Sequence, residues 1–200
     1  MLLSTIILGW LGILVFLIII FSFRKMIKNN EYGLLHLLMA FMYALWLPLP
    51  LTLYYLLDLD TLLVGSIFGF VYLIMLVITM ALQTGHIAYV IKHDGDASIK
   101  VSNQNIMAML SNPLEALANV FKSIWTLFLG ISFWTMGETF IASIMFLSSY
   151  LVFYYMFLAI NASLIKRISF LSKVKPNFIV TNLETFLLFS ILMCYITFVQ

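Results

Sequence analysis

Long apolar runs separated by short polar interruptions make up this chain, and the runs fall at residues 2–23, 33–57, 62–83, 118–136, 139–164 and 183–199. A helix rises 1.5 Å per residue and a bilayer core is about 30 Å thick, so about 20 apolar residues make one crossing. The pattern predicts six transmembrane helices, spans 1 to 6, in an all-α integral membrane protein built as one helix bundle. The only long polar stretch, residues 84–115, separates two groups of three spans and is expected to be a connector. One transmembrane domain covering residues 1–200 follows, with no separate soluble domain.

The polar links also predict orientation. Arg24, Lys25 and Lys28 follow span 1, Lys92 and Lys100 lie in the connector, and Lys166, Arg167, Lys173 and Lys175 precede span 6. The other links carry Asp58, Asp60 and Glu138 and no basic residue. Lysine and arginine concentrate on the cytoplasmic side of membrane proteins. The connector is therefore expected to be cytoplasmic and both termini to lie outside. Residues 1–23 lack a basic start and a small-residue cleavage site, so the first run reads as a retained span and not a signal peptide.

Composition strengthens the membrane reading. Hydrophobic residues make up 64% of the chain, charged residues 9%, and the mean hydropathy is +1.12. Soluble domains carry roughly 25% charged residues. A net charge of +2 without a basic patch interleaved with aromatics gives no basis for a nucleic-acid partner. The single cysteine, Cys194, lies within span 6 and cannot form an intramolecular disulfide.

Boundary signals come from capping residues and aromatics. Asn112, Pro113 and Glu115 suit the N-cap, first and third positions of a helix entering span 4. Thr181 and Glu184 have capping-box spacing ahead of span 6. Residues 166–180 mix basic and apolar side chains as an interfacial helix would. Trp46, Tyr54, Tyr55, Trp125 and Trp134 fit the aromatic belts at membrane surfaces.

Few residues suggest chemistry. Metalloprotease, nucleophile-elbow, phosphate-loop and dithiol motifs are absent from the sequence. No carboxylate lies near the middle of a span, and the expectation is a protein that is not an enzyme. His36 and His86 fall at similar depth, and His93 shares a face with His86 if span 3 stays helical that far. The three form a candidate haem or metal site, with headgroup or backbone hydrogen bonding as the alternative. No resident cofactor is otherwise expected.

Lys122 is the only basic residue inside a span, one turn from the inner boundary. It can snorkel to headgroups or pair with Glu184 at similar depth. Pro48 and Pro50 are expected to kink span 2, and kinked helices line binding sites in some transporters. Asn161, with Ser143, Ser148, Ser149, Tyr150 and Tyr154, makes span 5 the polar one, its side chains expected to bond across helices. Gly65 and Gly69, and Ala159 and Ser163, have the four-residue spacing of close helix contacts.

The missing chemistry and short outer links favour a non-catalytic accessory, assembly, regulatory or immunity-type subunit, working through helix packing and its connector. Its partners would be the lipid bilayer and another membrane protein or a second copy. A transporter or channel for a neutral or lipophilic solute is the alternative, although the halves share no recurring sequence that would mark an inverted repeat. A histidine-ligated redox protein is the third reading.

Overall fold

A computed structural model of the chain describes residues 1–92, 106, 110–166 and 168–198. Among these residues the structure is helical and contains no strand. The helices are α1 (Leu2–Lys28), α2 (Tyr32–Leu45), α3 (Leu49–Leu57), α4 (Asp60–Lys92), α5 (Asn112–Thr135), α6 (Thr139–Ser149), α7 (Leu151–Ser163) and α8 (Phe178–Phe198). Taken as α1, α2 with α3, α4, α5, α6 with α7, and α8, they give six units long and apolar enough to cross a membrane. Successive units pack against one another, and span 6 lies against spans 1 and 5, so the six close into a ring. Span 5 is the least buried of them and span 4 the most.

Local backbone chemistry explains the tight links. Asn30 and Gly137 both adopt positive φ, at 56° and 84°. At the end of α1, the Glu31 N–H donates to the Met26 carbonyl and that of Asn30 to Ile27. At the end of α5, the Glu138 N–H donates to Phe133 and that of Gly137 to Trp134. These paired bonds are Schellman motifs, which satisfy carbonyls that a helix end would otherwise leave open. A side chain at Gly137 would meet no neighbouring atom, so its cost there is conformational. Gly137→Ala should therefore lower the unfolding free energy in detergent by about 1 kcal/mol. Gly85 lies within α4 and also faces open space. Gly85→Ala should move the same unfolding midpoint the other way, by about 0.5–1 kcal/mol.

Several boundaries differ from the sequence expectation. The apolar run of span 3 ends near Gln83, but its helix, α4, continues to Lys92, along the extension towards Ile91 that the sequence allows. The start of span 2 at Gly33 lies beside Thr84 and Ala88, and this packing carries the helix past Gly85. Half of the expected connector, including His93 and Lys100, lies outside the described residues. Span 4 begins at Asn112 with Ser111 at the N-cap, one residue earlier than expected.

Span 6 starts at Phe178, ahead of the anticipated capping box. Asn177 provides the cap: its Oδ1 accepts from the N–H groups of Ile179 and Val180 at 3.1 and 3.2 Å. Thr181 lies within the first turn and donates to the Asn177 carbonyl. No interfacial helix forms over the described part of residues 166–180. Only a 3-10 turn at Leu171–Lys173 appears, followed by non-helical backbone through Pro176.

Span 2 is broken and not merely bent. Its helix stops at Leu45 and resumes at Leu49, since neither Pro48 nor Pro50 can donate to the ladder. Neighbours fill the gap. The Ser66 hydroxyl donates to the Pro50 carbonyl at 3.0 Å, Thr52 donates to Pro48, and Thr5 and Thr52 share a 2.7 Å hydroxyl contact. Gly65 and Gly69 do mark a close approach. A Cβ at Gly65 would strike Phe128, and one at Gly69 would strike Trp125 and Pro50. Ser163, by contrast, is exposed, and its hydroxyl bonds to Ala159 of its own helix.

Two of the expected belt tryptophans are central. Trp46 and Trp125 have no exposed surface, whereas Tyr55 and Trp134 remain exposed. Trp46 stacks on Phe189 with ring centroids 3.8 Å apart and planes 7° from parallel, and its Nε1 donates to the Gly9 carbonyl. Tyr72 and Trp125 approach the same Phe189 ring. Aromatic rings from spans 2, 3, 4 and 6 thus plug the middle of the ring of helices.

Candidate functional site

The site is organised by one face of span 4. Glu115, Asn119, Lys122 and Thr126 follow one another at steps of four, three and four residues, which places them in one stripe on a helix. Asn119, Lys122 and Thr126 are buried, so the stripe faces the interior of the bundle. Most of its small polar groups are satisfied locally. The Asn119 Nδ2 donates to the Glu115 carbonyl at 2.8 Å, Ser123 to the Asn119 carbonyl, and Thr126 to Ser123.

Lys122 is different, because its charge needs a partner from another helix. Its side chain is 0% exposed, so it does not snorkel to a headgroup region. The Nζ donates instead to Glu184 Oε2 and, at 3.1 Å, to the Thr185 hydroxyl. The rings of Tyr72 and Tyr155 flank the ammonium, with centroids 5.7 and 5.2 Å away, close enough for cation–π attraction. Tyr155 also donates its hydroxyl to Glu184 Oε2 at 3.0 Å. The second oxygen, Glu184 Oε1, is buried without a protein partner. Such a pair offsets the desolvation of its two charges without adding much stability, whereas removing one member leaves the other stranded.

A cavity of about 150 Å³ opens beside this pair, at the end of the bundle where the connector and the 164–177 link lie. Glu115, Asn119, Tyr155, Asn161, Asn177 and Thr181 supply its polar lining. Glu115 is reached by span 3 as well: Gln83 Nε2 donates to Glu115 Oε1 at 2.9 Å. Tyr155 lines the cavity and also touches Glu184, so it joins the two parts of the site. A second cavity, of about 390 Å³ between spans 1, 2 and 6, is lined almost entirely by apolar side chains.

The chain matches no protein-family model, no curated protein and no solved structure.

Of the residues singled out in the sequence, Lys122 and Glu184 are brought together, and Asn161 stands on the wall of the adjoining cavity. Pro48 and Pro50 do not line that cavity and belong to the sealed break in span 2. His36 bonds through Nδ1 to the Tyr32 carbonyl at 2.7 Å, within its own helix. His86 lies near the end of α4, and His93 is outside the described residues. Among the described residues no three His, Cys, Asp or Glu side chains converge as metal ligands would. Ser143 and Ser149 bond to carbonyls of their own helix, and Tyr154 links span 5 to Lys175 and Asn177 ahead of span 6.

Sequence reasoning missed Gln83, Glu115, Asn119, Tyr155 and Thr185 as site residues. Glu115 and Asn119 were legible as members of the stripe with Lys122. The other three carry no spacing signal, because their helices meet span 4 only in the folded bundle.

Proposed function

We propose that this protein is a small membrane transporter that admits a polar solute into the cavity beside Lys122 and Glu184. The observation that carries this reading is the buried Lys122–Glu184 pair, joined through Tyr155 to the wall of the adjoining cavity. Ionisable residues inside membrane spans are costly and tend to mark substrate or ion pathways. The aromatic plug around Phe189 supports a pathway open at one end and shut at the other. In this reading the basic connector end is cytoplasmic, both termini are outside, and the two groups of three spans move relative to each other.

The test is flux. Purified protein reconstituted in lipid vesicles should take up at least one class of labelled small polar solute. The double variant Lys122→Met with Glu184→Gln should take up none while keeping its helical circular dichroism. Absence of flux for cationic, neutral and anionic solutes alike would overturn the proposal.

An accessory role is the second reading. The exposed side chains of span 5, among them Phe140, Leu147, Tyr150 and Phe153, favour it, because they offer a face to another membrane protein as readily as to lipid.

A further inference from the structure

We infer that the cavity at the connector end binds a small organic cation bearing N–H donors, anchored by Glu115 and Asn119. This inference rests on the transport reading and narrows its substrate class. The first argument is the sign of the unused hydrogen-bonding capacity. Of the groups lining the cavity, Asn119 Oδ1 is buried without a partner, and it is an acceptor; Gln83 Oε1 and Glu184 Oε1, also unpartnered, belong to side chains behind the wall. Asn119 is 5% exposed and stands on the cavity wall.

The amide orientations behind this are chemically constrained. Turning Gln83 over would set its carbonyl against the Glu115 carboxylate. Turning Asn119 over would set its carbonyl against the Glu115 carbonyl. Both donors are therefore committed to the protein, and on the cavity wall the Asn119 acceptor is left for something else. Buried polar groups in native proteins nearly always have a partner, so that open acceptor calls for a donor-bearing guest or water.

Charge then selects among guests. Glu184 is balanced by Lys122, whereas Glu115 has only the neutral Gln83 amide on one of its oxygens. Lys175, beside Pro176 at the rim, is exposed and forms no ion pair with Glu115. Among the described residues, this carboxylate on the cavity wall has no cationic partner. An anion would face that charge and the Asn119 acceptor, and a neutral solute would leave the charge uncompensated. A compact ammonium or guanidinium group matches both needs, with room in about 150 Å³ for only a small molecule.

The test uses the full-length protein purified in detergent, with ligand-dependent thermal stabilisation as the readout. Ethylammonium and guanidinium at millimolar concentration should raise the unfolding temperature. Tetramethylammonium, which lacks N–H donors, sodium and acetate should not. Glu115→Gln should weaken ethylammonium binding by about tenfold or more, the factor implied by losing one charge-assisted hydrogen bond. Ala162→Trp, at an exposed position on the cavity wall, should abolish binding without disturbing the fold. Equal stabilisation by sodium or tetramethylammonium, or undiminished binding in Glu115→Gln, would overturn the inference. The two proposals fail separately. Cation binding without flux overturns transport alone, and flux of a neutral or anionic solute without cation binding overturns this inference alone.

Discussion

Lys122→Met should lower the unfolding free energy by about 3–5 kcal/mol, the cost typical of breaking a buried ion pair by deleting one member. The loss arises less from the missing attraction than from what remains. Glu184 would stay buried with Tyr155 and Thr185 beside it and no cation to offset its charge. Adding Glu184→Gln should recover most of that stability. The amide keeps the shape of the side chain, can still accept the Tyr155 hydroxyl, and carries no charge. A double-mutant cycle measured by chemical unfolding in detergent isolates the coupling between the two positions. A Lys122→Met variant within about 0.5 kcal/mol of the parent, the range of ordinary surface substitutions, would show that the pair is not buried as described. Because the double variant is expected to fold, its failure to transport would separate a working pair from one that merely holds helices together.

The second large effect is expected at Phe189. Phe189→Ala removes the ring that stacks on Trp46 and meets Tyr72 and Trp125. In a soluble core such a truncation costs about 3–5 kcal/mol, part of it from transfer out of water and part from the cavity left behind. Within a bilayer the transfer part shrinks, since lipid tails are as apolar as the core. The packing part remains, and about 2 kcal/mol is expected. Phe140→Ala, on a side chain that is 77% exposed, should leave the same unfolding curve unchanged. Equal losses at the two positions would mean that the aromatic plug contributes no more than a surface side chain.

Much of the fold was legible because polar links punctuate apolar runs so clearly. The helices of spans 2 and 5 keep nearly their anticipated limits, that of span 1 runs on to Lys28, and the break at Pro48 and Pro50 follows from the missing donors. The errors came from reading side chains by type. Trp46 and Trp125 resemble belt residues in a linear sequence, yet Gly69 lets Trp125 approach span 3 and the Gly9 carbonyl receives Trp46. Thr181 and Glu184 have the spacing of a capping box. Asn177, directly after a proline, starts the helix sooner and frees Glu184 to turn inward. The site was half legible. Span 4 shows a polar stripe at helical spacing, while the acceptors on spans 3 and 6 depend on a ring closure that no local pattern announces.

The closure of that ring has a consequence for biogenesis. Lys122 lies in span 4, but its partner Glu184 and the Phe189 ring that covers Trp46 both belong to span 6. In a chain made from its N-terminus, span 4 precedes its counter-charge, so in a bilayer the first five spans would stand with an unpaired ammonium and an uncovered indole. Arrival of the last helix therefore completes both the electrostatics and the packing in one step.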